Sequence, residues 1–132
     1  RDLLPFCMNN EVGVIGYRPM EQGLLTGKVG PERQFPEGDE RASQRIFSME
    51  NRSAVKDAQS NVMAIAEAHG LTLAQLSVAW VLHQPGISGA ICGARTKEQA
   101  RENAAAANTV LSTEDLTCIT GAFAHLPVRK KK

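Results

Sequence analysis

The spacing of apolar residues divides the chain into short strands and amphipathic helices. The apolar pattern of residues 2–9 predicts the end of a helix. Pro5 is placed in the first turn of that helix, where the N–H that proline lacks is not needed for helix pairing. Residues 12–17 form an apolar run rich in β-branched side chains that does not alternate with polar ones. This pattern predicts a strand buried on both faces, as in a parallel sheet covered by helices. Residues 87–92 are interpreted as a second buried strand.

Between the two strands the pattern predicts a loop, a long polar stretch and helices. Residues 18–28 form a loop that enters a short helix, and residues 29–52 are a polar loop. A loop of that length inside a compact domain is unusual, and it is either functional or a tolerated surface insertion. Ser53 is predicted to cap a helix that ends at His69, before the stop signal Gly70.

Three further helices are predicted from capping residues and periodicity. Thr72 caps a helix over residues 73–83, which is apolar over much of its surface and should be well buried. Thr96 to Gln99 have the pattern of a capping box that opens a helix to about Ala107. Ser112 caps a last helix.

This order of elements is typical of an α/β architecture with parallel strands. Two strands cannot bury their faces and satisfy their edges alone, so we expect further strands from chain not present here. The first residue is Arg1 rather than Met, which fits that expectation. We expect one domain over residues 1–126, followed by a basic tail over residues 127–132.

Composition narrows the class of function. The net charge of +1 argues against a general nucleic-acid or membrane-surface role. The basic tail is read as a frayed terminus; the alternative, a nucleic-acid tail, lacks interleaved aromatic residues. The scattered cysteines Cys7, Cys92 and Cys118 fit a reducing, cytoplasmic compartment. The three histidines lack zinc-site spacing, so no metal site is predicted.

The first candidate site follows the first strand. Ligands sit at the carboxyl ends of strands in open sheets and barrels alike. Tyr17, the one tyrosine in the chain, could stack on a flat heterocycle, or it could be a rim tyrosine with its hydroxyl in water. Gly23 and Gly27 allow close backbone approach, and Lys28 could meet a phosphate. Glycine-rich turns are common, so this signal alone is weak.

The second candidate site follows the second strand and enters a helix N-terminus, where free N–H groups and the helix dipole favour anions. Arg95 could fork onto a phosphate. Gln99, Glu102 and Asn103 share a helix face and offer donors and acceptors of the kind a purine edge requires. The alternative is a capped, solvated helix with a surface arginine.

Three ordered segments carry a family resemblance that extends from Leu3 to about Ile119. The segments GVIGYRPMEQGLLTGK (13–28), LAQLSVAWVL (73–82) and GARTKEQ (93–99) with Glu102 and Asn103 resemble the final part of aldo-keto reductases. The resemblance is closest to the bacterial and plant type that includes relatives of potassium-channel β-subunits. It implies the C-terminal part of a (β/α)8 TIM barrel, with about two strands and their helices present.

The resemblance also implies NADP(H) bound in an extended pose across the two loops. Tyr17 would stack on the nicotinamide and set the face that delivers hydride. The residues that would line the pyrophosphate are Arg18, Pro19, Met20, Gly23 and Leu24, with Lys28 nearby. The residues that would hold the 2′-phosphate and adenosine end are Gly93, Arg95, Gln99, Glu102 and Asn103.

Two positions depart from the family pattern. The family usually has Ser where Arg18 stands and Leu where Met20 stands. An Arg at this position could pair with the pyrophosphate directly, or it could narrow the channel. The acid Tyr, the Lys, the Asp and the His of the family lie earlier in the chain, so no catalytic residue is predicted here. Tyr17 is not that acid.

The predicted function is hydride transfer between NADP(H) and a small aldehyde or ketone, with this chain binding the cofactor and inactive alone. NADP rather than NAD rests on Arg95 and Lys97. One alternative is a non-catalytic module or subunit that senses NADP(H). Another is a truncated product with no role. No nucleic-acid or membrane partner is expected.

Overall fold

The computed structural model describes residues 2–127, so most of the predicted basic tail lies outside the described residues. Within them, two strands are separated and flanked by helices. In chain order the elements are α1 (Leu3–Asn9), β1 (Val14–Tyr17), α2 (Met49–Ala68), α3 (Leu73–Leu82), β2 (Ile87–Ile91), α4 (Lys97–Ala105) and α5 (Thr113–Ala122). Short 3₁₀ turns lie at Glu21–Thr26, Glu40–Ser43, Arg45–Phe47 and Ala106–Asn108.

The two strands form a parallel sheet. Val14 pairs with Ile87 and Tyr17 with Ile91, with one register irregularity between Val14 and Ile15. The crossover between the strands contains α2 and α3, as parallel pairing requires. The predicted α/β architecture with parallel strands is confirmed.

The prediction that the strands are buried on both faces is wrong for the described chain. Ile15 is 60% exposed, Tyr17 72% and Ile91 58%, whereas the alternate residues Val14 and Gly16 are half-buried. The helices cover one face of the sheet, and among residues 2–127 nothing covers the other. An apolar run without alternation therefore marks a surface that this chain does not bury by itself.

One strand glycine is explained by the covered face. A Cβ at Gly16 would lie 2.7 Å from Cγ1 of Val81 on α3, closer than carbon atoms approach without displacement. Gly16 therefore allows α3 to pack directly on β1.

The core lies on the helical side and has two parts. The larger part joins α2, α3 and α5 and consists of Val62, Ala66, Leu76, Ala79, Leu111 and Ile119. The smaller part packs the segment between β1 and α2, called the long connection below, against α2. It consists of Leu24, Val29, Phe47 and Val55. The prediction that the helix after Thr72 is well buried is confirmed, because Leu76, Val78 and Ala79 on α3 are all buried.

The predicted start of α2 is wrong by one turn. The helix begins at Met49, and the Oγ of Ser48 accepts a hydrogen bond from the backbone N–H of Asn51 at 3.3 Å. Ser53 lies exposed inside the helix. Buried Phe47 anchors the chain just before Ser48, and this tertiary contact sets a boundary that periodicity alone places too late.

The long polar connection is packed rather than loose. The Phe35 ring lies 5.0 Å from the Cζ of Arg41 and 5.3 Å from that of Arg52, and it meets Phe47 edge to face at 5.6 Å between centroids. Nη1 of Arg52 donates to the carbonyls of Gly30 and Arg33 at 2.9 and 2.7 Å. Two guanidinium groups around one ring fix the course of this segment.

The remaining caps are largely as predicted. Thr72 and Ser112 form complete capping boxes with Gln75 and Asp115. Thr96 caps α4 by accepting from the backbone of Gln99, but the reciprocal bond is missing. Oε1 of Gln99 instead accepts from the backbone N–H of Arg95 at 2.8 Å. The predicted capping box at α4 is therefore wrong in its second half.

Candidate functional site

The two predicted loops leave the same edge of the sheet. Tyr17 at the end of β1 is the register partner of Ile91 at the end of β2, and the strands are parallel. Residues 18–28 and 92–96 therefore begin side by side at the carboxyl edge. This is the edge at which α/β proteins bind ligands.

The first loop has an unusual backbone. Arg18, Glu21 and Gln22 have positive φ angles of 54°, 42° and 52°, and Gly23 has 92°. Left-handed conformations cost energy for residues with a Cβ, and they persist where the surroundings fix them. Within the loop the backbone N–H groups of Glu21 and Gly23 donate to the carbonyls of Arg18 and Met20 at 2.8 and 3.0 Å.

Hydrogen bonds from the helices hold this loop from behind. Oγ of Ser77 on α3 donates to the carbonyl of Pro19. Nε2 of Gln59 on α2 donates to the carbonyl of Leu24 at 3.2 Å. These two bonds connect the loop to the core, so its conformation depends on the packing of α2 and α3.

The residues of the first loop that were predicted to bind the cofactor differ in their exposure to solvent. Tyr17, Arg18 and Lys28 are exposed, and Met20 and Gly23 are half-buried. Nε of Arg18 donates to the Tyr17 hydroxyl at 3.0 Å, and its Cζ lies 5.0 Å from the ring centroid.

Two predicted residues have their side chains inside the protein. Pro19 is buried, and Leu24 is 2% exposed within the smaller core cluster. Any contact of Leu24 with a ligand in this arrangement comes from its backbone. Sequence spacing does not distinguish a leucine that faces a ligand from one that anchors the loop.

The second loop is shaped by two residues predicted to bind adenosine. Oε1 of Gln99 accepts from the N–H of Arg95 at 2.8 Å, and Nδ2 of Asn103 donates to the carbonyl of Gly93 at 3.1 Å. Gly93 and Arg95 are exposed. Gln99 and Asn103 therefore clamp the loop that presents Arg95.

The side chain of Glu102 does not contact the second loop, unlike those of Gln99 and Asn103. Its carboxylate accepts from Oγ1 of Thr72 at 2.8 Å, and its backbone carbonyl accepts from Nε2 of Gln75 at 3.1 Å. It thus ties α4 to the start of α3, while Gln99 and Asn103 contact the loop. The structure does not bring the three predicted adenosine residues to one spot through shared contacts.

A neighbouring pair of residues was missed by the sequence analysis. Arg41 donates two short bonds to Asp39, at 2.9 Å from Nε and 2.6 Å from Nη2, and one from Nη1 to the carbonyl of Gln22 at 3.2 Å. The hydrogen bonds from Arg41 lower the pKa of Asp39 to about 2, and the charge of Arg95 contributes in the same direction. The bond to Gln22 places this pair beside the first loop. The turn Gly38-Asp39 was the available sequence signal.

Within residues 2–127, no three His, Cys, Asp or Glu side chains come together as a metal-binding group would require. Burial raises the pKa of the Cys92 thiol, which disfavours a reactive thiolate. No single helix in this part of the chain is long and apolar enough to cross a membrane; α2 and α3 meet that measure only together, bent by 85°.

A parallel α/β unit with loops at its carboxyl edge is a building block of both (β/α)8 barrels and open α/β sheets. The model of the aldo/keto reductase family matches residues 1–123. The chain belongs to the aldo/keto reductase family, as its resemblance to that family predicted.

Individual relatives agree with this assignment. The chain is 38% identical over 116 residues to the NADH-specific methylglyoxal reductase of Escherichia coli, an alignment that covers 88% of this chain and 35% of the relative. It is 33% identical over 112 residues to a probable voltage-gated potassium channel subunit beta of Arabidopsis thaliana, with 83% of this chain and 34% of that protein covered. The chain thus spans about a third of the length of these curated relatives.

A solved structure gives the fold. The glycerol dehydrogenase of Gluconobacter oxydans superposes with a TM-score of 0.87 at 26% identity, covering 99% of this chain and 40% of that one. The predicted fold, part of a (β/α)8 barrel with two strands and their helices, is confirmed.

Proposed function

We propose that this chain is the NADP(H)-binding portion of an oxidoreductase that reduces aldehydes or ketones by hydride transfer. The observation that carries the proposal is the pairing of Tyr17 with Ile91, which starts both candidate loops side by side. An extended dinucleotide needs two such anchor points, one for each end. The family assignment supports the reaction class.

The first loop would hold the nicotinamide and pyrophosphate. The ring of Tyr17 is exposed, with the Arg18 guanidinium over it. A nicotinamide would stack on the ring face that Arg18 does not cover. The turned backbone from Arg18 to Gly23 would present polar groups to the pyrophosphate, with Met20 and the backbone of Leu24 alongside and Lys28 at the far end.

The second loop would hold the 2′-phosphate and the adenosine. Gly93 and Arg95 are exposed at a helix N-terminus, where the dipole favours a phosphate. Gln99 and Asn103 keep that loop in place, and they would contact the adenosine end together with Glu102. For Glu102 to do so, its carboxylate must leave Thr72.

The choice of NADP over NAD rests on Arg95 and Lys97. The Escherichia coli relative is named as NADH-specific, while a relative in Schizosaccharomyces pombe, 32% identical over 106 residues, is named as an NADP(+) enzyme. An exposed guanidinium beside a helix N-terminus favours the extra phosphate of NADP.

When bound, the nicotinamide supplies the hydride, and the protein orients it. The side chain hydrogen-bonded to the Tyr17 hydroxyl is that of Arg18, whose guanidinium stays protonated and does not pass a proton to a carbonyl oxygen. We therefore propose that the chain binds cofactor without turnover by itself. NADPH oxidation in the presence of methylglyoxal should stay at the uncatalysed rate, and measurable turnover would contradict this part of the proposal.

The cofactor assignment is tested by titrating the chain with NADPH and with NADH, following nucleotide fluorescence. Arg95→Gln should weaken NADPH binding by roughly tenfold or more and leave NADH binding nearly unchanged, because only NADPH offers the phosphate. Arg101→Gln, at an exposed arginine on α4, is the control for loss of a nearby positive charge. Equal losses for both nucleotides, or for both variants, would contradict the proposed 2′-phosphate contact.

The second candidate function is a non-catalytic subunit that senses NADP(H), which the likeness to a potassium channel subunit beta favours. Both functions require nucleotide binding, but only the enzyme requires an acid–base set in the remainder of the barrel. Carbonyl turnover by a whole protein that contains this chain would favour the enzyme over the sensor.

A further inference from the structure

The guanidinium of Arg18 is held over the ring of Tyr17 by three hydrogen bonds. Its Nε donates to the Tyr17 hydroxyl at 3.0 Å, and its Cζ lies 5.0 Å from the ring centroid. Its Nη1 and Nη2 donate to the amide oxygen of Gln22 at 2.7 and 3.0 Å. Because a guanidinium can only donate, the oxygen rather than the nitrogen of that amide faces it. The positive charge is therefore fixed against one face of the ring.

The charge of Arg18 has no carboxylate partner, and the ring beneath it is still accessible. None of the ion pairs within residues 2–127 includes Arg18. Tyr17 is 72% exposed although the guanidinium covers one of its faces, so the opposite face is open to solvent. A flat group that stacks on that open face shares the Tyr17 ring with a cation.

The two redox states of a nicotinamide differ in charge. The oxidised ring is a cation and the reduced ring is neutral, whereas the phosphate groups of the nucleotide are the same in both states. Two positive charges on opposite faces of one aromatic ring lie within roughly 10 Å of each other, a separation at which they repel at low ionic strength. The cation over Tyr17 therefore opposes the oxidised ring but not the reduced one.

We propose that Arg18, held in place by Gln22, makes the nucleotide site selective for the reduced cofactor over the oxidised one. This inference rests on the proposed function, in which Tyr17 stacks on the nicotinamide. Selectivity of this sign raises the reduction potential of the bound couple, and it favours loading of the reduced cofactor and release of the oxidised one. Serine, the usual residue of the family at this position, carries no charge and would not supply it.

The test compares the dissociation constants of the 132-residue chain for NADPH and NADP⁺, measured by isothermal titration calorimetry at low ionic strength. The ratio of the two constants cancels contacts to the phosphates, because both nucleotides make them. The wild-type chain should bind NADPH more tightly, and Arg18→Gln should reduce that preference about three- to tenfold. Arg101→Gln, which removes an exposed charge on α4, should leave the ratio unchanged.

A second variant cancels the charge while keeping the arginine. Gln22→Glu places a carboxylate where the amide oxygen now accepts from the guanidinium, and the resulting ion pair should reduce the preference for NADPH as Arg18→Gln does. Added salt should also lower the preference in the wild-type chain, because it screens the repulsion. That comparison needs no variant, so it holds even where a substitution impairs folding.

The outcomes separate this inference from the function on which it rests. If Arg18→Gln weakens both nucleotides equally, the guanidinium contacts the shared pyrophosphate instead, and the selectivity is overturned while the nucleotide site stands. A wild-type chain that binds both nucleotides with equal affinity has the same consequence. If neither nucleotide binds, the proposed function itself is contradicted and this inference falls with it.

Discussion

The helical side and the sheet side of this chain are built differently. On the helical side, Val62, Leu76 and Ile119 are buried together, and the helices begin at well-formed caps. On the sheet side, Ile15 and Ile91 are exposed although their sequence is that of a buried strand. The helical side buries its own apolar residues, whereas the other face of the sheet leaves them exposed. The loops proposed to hold the nucleotide begin at the carboxyl edge between these two faces.

The largest expected contrast is between apolar residues on the two sides. Leu76→Ala should lower the free energy of unfolding by about 2–5 kcal/mol, because it removes buried methyl groups and leaves a cavity. Ile91→Ala should change it by less than about 1 kcal/mol, since that side chain is mostly exposed. Urea denaturation followed by circular dichroism measures both. Similar losses in the two variants would show that the sheet face is buried in solution.

The next contrast is between two strand glycines. Gly16→Ala places a Cβ against Val81 and should cost about 1–3 kcal/mol. Gly89→Ala meets no atom within 4 Å and should cost little. Thermal unfolding compares the two, and Val81→Ala in the Gly16→Ala background should restore part of the loss. Equal melting temperatures for the two glycine variants would contradict the close packing of α3 on β1.

A smaller effect distinguishes the two possible starts of α2. Ser48→Ala removes the cap observed in the structure and should cost about 1 kcal/mol. Ser53→Ala replaces an exposed residue inside the helix and should be neutral or slightly stabilising. Chemical denaturation is sufficient to rank them. A larger loss for Ser53→Ala would restore the boundary predicted from the sequence.

The smallest expected effect concerns Asp39 beside the candidate site. Its pKa is lowered to about 2 by hydrogen bonds from Arg41, whereas an unfolded Asp titrates near about 3.9. The folded pKa is lower, so the stabilisation is present above about pH 4 and is lost as the pH falls toward 2. Carboxyl NMR should show this titration, and Arg41→Gln should return the pKa of Asp39 toward its ordinary value. An unchanged pKa in that variant would contradict the assigned cause.

Local signals in the sequence were sufficient to predict most of the helices and both strands. Thr72 and Ser112 marked helix starts because capping is a property of a few adjacent residues. Ser48 was missed because the helix start depends on Phe47 being buried against distant residues. The apolar runs predicted buried strands, and the expectation that two strands cannot bury their faces alone agrees with the exposed Ile15 and Ile91. An apolar run shows that a surface requires burial, not whether this chain supplies it.

The candidate site was predictable in position but not in detail. Both loops were located because each follows a strand, and parallel pairing brings strand ends together. The inward side chain of Leu24, the bond from Thr72 to Glu102 and the pair Asp39–Arg41 all depend on contacts between residues far apart in sequence. No local pattern reports such contacts.

The central claim is that both strand-end loops grip one dinucleotide. The most direct measurement is a titration of the isotope-labelled chain with NADP⁺, following backbone amide NMR shifts. The account predicts saturable shifts with one common dissociation constant in residues 17–24 and 93–103, and small shifts in α5. Shifts confined to one loop, or none at either loop at millimolar nucleotide, would contradict it.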